Sequence, residues 1–223
     1  MKGEPSGTVV CLCSGGLDST VVLAALARRG WNCTALFVDY GQAARVREER
    51  AFRRVCRRYD VRPIVRRISL WKKDPSSLLG GAGGAYLRHR NLALLLVADL
   101  VAEKRHADAL AAGFCIAPDY PDCSRAFVAL ATSCLDVSGG IRRLVLTPLL
   151  ELDKAGIGRL AAELDVPVDD TVSCYGADLA PCRTCRGCQD RTAAMEAYRG
   201  ALPSQGARAV RKSDLRTETP RRR

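Results

Sequence analysis

The sequence predicts an α/β protein: a doubly wound, mostly parallel sheet with helices on both faces, followed by a small C-terminal cysteine module. Three observations carry this. Short Val-rich runs alternate with longer amphipathic stretches from Thr8 to Ile68, the pattern of parallel strands joined by covering helices. A Gly-rich turn, Ser14-Gly15-Gly16, stands between the first apolar run and the first helical stretch. Four of the eleven cysteines fall between Cys174 and Cys188.

Each element has its own signal. Thr8 to Cys13 is a short apolar run and reads as a buried strand. Asp18 to Arg29 reads as a helix ended by Gly30, and Asn32 to Asp39 as the second strand. Ala43 to Tyr59 is an amphipathic helix. Its Ala51, Phe52, Val55, Cys56 and Tyr59 recur at helical spacing, with most of its arginines off that face. Arg62 to Ile68 is the third strand. Ser76 to Gly84 is small and Gly-rich and reads as a flexible loop, either a lid or a plain linker. Arg90 to Lys104 is apolar enough to predict a buried helix, Ala107 to Phe114 a strand, and Asp122 to Leu135 a further helix. Arg142 to Leu146 is a strand, and Asp153 to Leu164 the last regular helix of the main domain. The domain boundaries expected are 1–171 for the α/β domain, 172–200 for the cysteine module and 201–223 for a basic, flexible tail.

Composition narrows the function. With 223 residues, 48% of them hydrophobic, the chain can bury one core. No apolar run reaches the ~18 residues a membrane span needs, and Met1 to Gly7 holds no long apolar segment, so no signal peptide is expected and the cytoplasm is the expected location. An odd cysteine count argues against a secreted disulfide framework, and most of the seven scattered cysteines are expected to be buried thiols. The net charge of +11 fits either a polyanionic partner or arginine on solvated helix faces; a nucleic-acid partner is possible but not favoured.

Two motifs carry chemistry. Ser14-Gly15-Gly16-Leu17-Asp18-Ser19 stands where a strand enters a helix. There backbone N–H groups converge, the helix N-terminus is partly positive, and glycine lets an anion approach closely. Asp18 alone would repel a phosphate, which implies a bridging Mg²⁺. Asp39-Tyr40-Gly41-Gln42 ends the second strand and faces the same crevice of a doubly wound sheet. The second motif is Cys174-x7-Cys182-x2-Cys185-x2-Cys188, four thiolates for one tetrahedral point. Structural Zn²⁺ is the favoured occupant, with an iron–sulfur cluster or a redox dithiol as alternatives. Arg183, Arg186 and Arg191 stand ready to offset the thiolate charge.

The loop lacks the Gly-Lys-Ser/Thr of a Walker site and resembles the SGGxDS loop of PP-loop ATP-pyrophosphatases, of the adenine-nucleotide alpha-hydrolase-like fold. Further stretches resemble the 7-cyano-7-deazaguanine synthase family. They are Tyr120-Pro121-Asp122-Cys123 with Phe127, Thr147-Pro148-Leu149 with Lys154, and Ser173-Cys174-Tyr175 with the cysteine triplet and Arg191. The resemblance covers about residues 8 to 195, with the motifs in family order. It implies an ATP-dependent ligase of queuosine biosynthesis. A 7-carboxy-7-deazaguanine carboxylate attacks the α-phosphorus of ATP, ammonia displaces AMP to give the amide, and a second adenylation leads to the nitrile. It further implies catalytic roles for Ser14, Asp18, Ser19 and Lys154. ATP contacts would come from Ser14 to Ser19, Tyr40, Gly41, Gln42, Arg90 and Asn91. Asp119, Tyr120 and Asp122 would bind the deazapurine, Cys174, Cys182, Cys185 and Cys188 would bind Zn²⁺, and the chain would form a homodimer.

Departures from the family pattern cluster around the expected substrate pocket. Leu87-Arg88-His89 replaces the VPG of a VPGRN loop, and Gly113 to Asp122 is about two residues short. Cys115 and Ile116 stand where small polar residues are expected, and the helix glutamate is displaced to Glu48 or Glu49. A specialised relative could stop at the amide or join the acid to an amine on another molecule, a protein included. Two further readings stand open: a tRNA-modifying PP-loop enzyme, and a non-catalytic binding module.

Overall fold

The computed structural model describes residues 7–71, 74–115, 120–178 and 180–202. Five parallel strands form one sheet in the order β3-β2-β1-β4-β5, with β1 Thr8–Leu12, β2 Asn32–Asp39, β3 Arg62–Arg67, β4 Ala109–Ala111 and β5 Leu144–Leu146. Among the described residues the six α-helices are α1 Leu17–Arg28, α2 Arg45–Arg58, α3 Arg90–Arg105, α4 Arg125–Gly139, α5 Lys154–Glu163 and α6 Arg186–Ala201. None is long and apolar enough to cross a membrane.

Strand alternation sorts the core into two layers. Val9, Cys11, Ala35, Phe37, Ala109 and Ala111 point to one face, where they meet Leu17 and Val21 of α1, Phe52 and Val55 of α2, Ile157 of α5 and Ala194 of α6. Val10, Leu36, Val38 and Leu110 point to the other, against Leu95, Ala98 and Val101 of α3 and Ala131 and Leu135 of α4. Central strands buried on both faces explain the unbroken apolar runs. Strand order reverses between β1 and β4, which opens a crevice at their C-terminal ends.

Several elements differ from the sequence reading. β4 is only three residues long, because Gly113 must pass against the backbone of Asp18 and Ser19, where a Cβ would stand 3.3 Å from both. α4 starts at Arg125, where the Ser124 hydroxyl accepts the Phe127 amide, and it runs on to Gly139. α3 is buried on one side only; its Leu96 and Leu100 are about half exposed. The Gly-rich loop is a compact turn. Ser76 is buried and caps Leu78, while Gly81 and Gly83 press on the Pro75 carbonyl so closely that a Cβ would meet it at 2.1 and 2.7 Å. This turn delivers the buried Leu78 to the crevice.

α6 was not foreseen. It lies against α5 with Gly158 directly beneath the Ala194 carbonyl, and its partly buried Met195 and Tyr198 join the core. Val172 donates its amide to the Gly15 carbonyl (2.9 Å), so the segment entering the cysteine module is hydrogen-bonded to the phosphate loop.

Candidate active site

The SGGLDS segment leaves β1 and turns into α1, with Gly16 as N-cap. Gly15 takes φ +77°, and a Cβ there would lie 2.5 Å from both Glu48 O and Phe52 N of α2; only glycine lets the loop sit this low. Ser14 and Ser19 hold the loop's shape. The Ser14 amide reaches Ser19 Oγ (3.2 Å), the Gly16 amide reaches Ser14 Oγ (3.3 Å), and Ser19 Oγ donates to Gly16 O (3.1 Å).

Two cavities adjoin at this loop. The first, about 150 Å³, is the charged one; Ser14, Gly16, Asp18, Ser19, Lys154 and Asp190 line it. The second, about 270 Å³, runs across the strand ends and mixes Leu36, Val38, Leu78 and Phe114 with Tyr40 and Arg90. Polar groups at one end of an apolar cleft are the usual form of a nucleotide site.

Lys154 begins α5, whose N-cap Asp153 accepts the Gly156 amide at 2.7 Å. Its Nζ lies 2.5 Å from Asp18 Oδ2, 3.3 Å from Cys115 Sγ and 3.9 Å from Asp190 Oδ2. Burial alone would lower its pKa, but Asp18 first, then Cys115 and Asp190, hold it above the ordinary lysine value. Lys154 therefore stays cationic at any physiological pH. Burial pushes the Cys115 thiol up, helped by Asp18 and opposed by Lys154, which keeps it neutral.

In the second cavity, Gln42 is buried and knits the DYGQ turn together. Its Oε1 accepts the Tyr40 amide (2.9 Å), and its Nε2 donates to Val38 O (3.3 Å) and Glu48 Oε2 (2.9 Å). Of the two glutamates left open by the sequence, Glu48 is the one at the site, while Glu49 pairs with Arg53 on the α2 surface at 2.6 Å. Burial raises the Glu48 pKa against the pull of Gln42 and of Arg90 and Arg47. Arg90 opens α3. Burial opposes its charge, but Tyr40, Asp122 and Tyr175 more than compensate and raise its pKa. His89 before it takes φ +61°, the position where the family's VPGRN pattern has glycine.

The four cysteines of the module converge. Their sulfurs all lie within 4.8 Å of one another, with Cys174–Cys182 at 3.6 Å and Cys182–Cys188 at 3.9 Å. A tetrahedral centre with metal–sulfur bonds of about 2.3 Å spaces its sulfurs about 3.8 Å apart, so the set fits one metal ion. Backbone amides of Gly176 and Cys182 point at Cys174 Sγ, and that of Cys185 at Cys182 Sγ. Hydrogen bonds from the Thr184 side chain and from the Cys185 and Thr184 amides bring the Cys182 thiol down to about 5, ready to bind as thiolate. Of the expected arginines, Arg191 feels the charge of Cys188 while its guanidinium is also bonded elsewhere. Arg191 donates to Thr171 Oγ1 and Val168 O, both at 2.7 Å, and Arg186 donates to Asp190 at 2.8 Å. Arg47 of α2 instead donates to carbonyls of the metal loop, at Gly176, Asp178 and Ala180.

Ser14, Gly16, Leu17, Asp18, Ser19 and Lys154 meet in the first cavity, and Ser14, Asp18, Ser19, Tyr40, Gln42, Arg90 and Asn91 in the second. Gly15 and Gly41 shape turns without lining either. Asp122 is buried beside Arg90, and its carbonyl accepts Asn91 Nδ2 at 3.1 Å; Tyr120 packs on Tyr86, with ring centroids 5.9 Å apart. Neither lines either of these two cavities, and Asp119 lies outside the described residues. The sequence reading passed over Tyr175 and Asp190 as site residues. Asp190 was findable only by placing it on α6, two residues beyond Cys188 and one turn from Ala194.

A phosphate loop of the SGGxDS form at the switch point of a 3-2-1-4-5 sheet, opening onto paired apolar and charged cavities, defines the PP-loop ATP-pyrophosphatase class. Within that class the chain belongs to the family described as queuosine biosynthesis protein QueC, which it matches over residues 8–199. Curated relatives agree. It is 35% identical to a 7-cyano-7-deazaguanine synthase of Aromatoleum aromaticum over 216 residues, covering 87% of this chain and 95% of that protein. It is 32% identical to that of Methanoculleus marisnigri (85% and 93% covered) and 31% to that of Campylobacter concisus (82% and 90%).

Proposed function

We propose that this protein adenylates the carboxylate of 7-carboxy-7-deazaguanine at the expense of ATP, forming pyrophosphate, and carries the acyl-adenylate with ammonia to the amide and, after a second adenylation, to the nitrile. The observation that carries this is the pair of cavities sharing the SGGLDS loop. The apolar one suits adenosine and the charged one suits pyrophosphate. The leaving group accounts for the chemistry, because a carboxylate oxygen departs poorly and AMP departs well. The protein's task is to position the reactants and to offset charge. Lys154, held cationic, would stabilise the phosphates as they separate. Arg90, facing Tyr40, would bind from the adenosine side. Mg²⁺, held by Asp18 and the phosphates, would supply further charge neutralisation, and release of Asp18 from Lys154 would free both for that work. The cysteine set suits Zn²⁺, which with four thiolates has no open position and would act as a staple. A homodimer is the assembly this reading carries.

A second reading, that the reaction stops at the amide or passes the acyl group to another amine, is favoured by Cys115. This thiol contacts Lys154 where the family pattern has a small polar side chain. Incubating the protein with Mg-ATP, 7-carboxy-7-deazaguanine and ammonium, followed by mass spectrometry, separates the two. Nitrile with AMP and pyrophosphate supports the first and amide alone the second. No AMP refutes both.

A further inference from the structure

The phosphorus under attack joins two parts of ATP that the structure houses separately. If adenosine fills the cavity at the strand ends and pyrophosphate the one beside α1, the α-phosphorus lies at their seam. Five residues border both cavities: Ser14, Asp18, Ser19, Glu48 and Tyr175. Two of them, Asp18 and Glu48, are carboxylates that repel a phosphate gaining charge. Ser19 Oγ donates to Gly16 O, and Ser14 Oγ accepts the Gly16 amide and lies 3.3 Å from Ser19 Oγ, so both hydroxyls are engaged within the loop. Tyr175 is the remaining donor, and a phenol keeps its proton at neutral pH.

Tyr175 is also firmly placed. It follows the metal ligand Cys174, and the next amide, Gly176, is bonded to Cys174 Sγ at 3.4 Å. Its ring edge lies on Gly187 of α6, where a Cβ would meet Tyr175 Cε1 at 2.8 Å. Three residues earlier, the Val172 amide is bonded to the phosphate loop at Gly15 O. Lys154 lines the charged cavity and Arg90 the apolar one, so Tyr175, which borders both, stands between a cation of each. The cysteine module thus contributes a side chain to the seam as well as closing the C-terminal end.

We propose that Tyr175 is a catalytic residue of adenylyl transfer, its hydroxyl donating a hydrogen bond to a non-bridging oxygen of the α-phosphate. This rests on the adenylation reading above. In the step, the substrate carboxylate forms a bond to the α-phosphorus, the bond to the bridging oxygen breaks, and pyrophosphate leaves with the electron pair. Tyr175 keeps its proton throughout and stabilises the charge that accumulates on the equatorial oxygen.

Tyr175→Phe removes the hydroxyl and leaves the ring on Gly187. The full chain, with its metal bound, is assayed for AMP formation against varied Mg-ATP, with metal content and circular dichroism measured on the same samples. The expected result is a kcat lowered about 10- to 100-fold, a KM for ATP within about threefold of wild type, and an unchanged metal content. Tyr175→Ala is expected to lower kcat at least as far and to raise KM as well. A Y175F protein with wild-type kcat overturns the assignment, and so does one that has lost its metal, which would make the role structural. A wild-type protein that forms no AMP refutes instead the function on which the assignment rests.

Discussion

Gly158→Ala adds one methyl group where α5 and α6 touch, and the structure sets its cost. The new Cβ would stand 2.0 Å from the Ala194 carbonyl oxygen, 2.8 Å from its carbon and 3.1 Å from its Cα. All three are backbone atoms, so no side chain can turn away. Restoring an ordinary contact of 3.4 Å requires the helices to part by about 1.4 Å. Overpacking of this kind costs about 1–3 kcal/mol, against which alanine's helix propensity returns about 1 kcal/mol. With backbone on both sides the upper end applies, and a net loss of about 2 kcal/mol is expected. The displaced helix carries Gly187, Asp190, Arg191 and Ala194, all of which line the charged cavity, so Mg-ATP binding should weaken with stability. Gly200→Ala in the last turn of α6 is the control. Nothing lies within 4 Å of its Cβ position, and that variant should be unchanged or slightly more stable. Urea unfolding of the two variants beside wild type gives the comparison. A G158A unfolding free energy within about 0.5 kcal/mol of wild type would refute the close-contact argument.

Arg143→Met should cost about 3–5 kcal/mol in the same assay, because Asp99, 2.5 Å away with both side chains about nine-tenths buried, would be left as an unpaired charge; a smaller loss than 1 kcal/mol would count against it. His89→Gly should raise stability by about 1 kcal/mol by relieving the left-handed backbone at φ +61°, read as a shift of the thermal midpoint. Burial raises the Glu48 pKa, so the folded state holds that proton more tightly than the unfolded chain. Its contribution to stability is then present below the unfolded value of about 4.3 and is lost as pH rises toward the folded pKa. Glu48→Gln should therefore be more stable than wild type at pH 7 and lose that advantage at pH 4. Stripping the metal with a strong chelator should release one equivalent per chain and expose the module between Cys174 and Cys188 to protease, as measured by metal analysis and limited proteolysis.

The α/β architecture was legible because its signals are local. Val-rich runs, helical spacing in α2 and a glycine turn between them each report on their own few residues. The cysteine cluster was legible from spacing alone. What escaped depends on contacts across the chain. β4 was overestimated because the apolar run through Ala112 and Phe114 continues past the point where Gly113 leaves the sheet to pass under the phosphate loop. α6 was hidden because Cys185-Arg-Gly-Cys188 reads as a metal motif, although Ala194, Met195 and Tyr198 carry a helical spacing that could have been found. Tyr175 looked like part of the metal signature. Its place at the seam follows from its bordering both cavities, with its ring held against Gly187, and a glycine's missing side chain leaves no mark on local pattern. The choice between Glu48 and Glu49 likewise turned on which side of α2 faces the crevice.

Because all five strands run the same way, every loop feeding the start of a strand opens on the edge of the sheet opposite the nucleotide crevice. Gly30, before β2, and Gly140, before β5, both sit there with nothing within 4 Å of where a side chain would project. Both take positive φ, +83° and +68°, so an insertion beside either glycine, with the glycine itself kept, is the way to place a dye, an affinity tag or a surface tether on that edge. A handle placed there lies at the opposite end of the strands from the SGGLDS loop and leaves the crevice at that loop open.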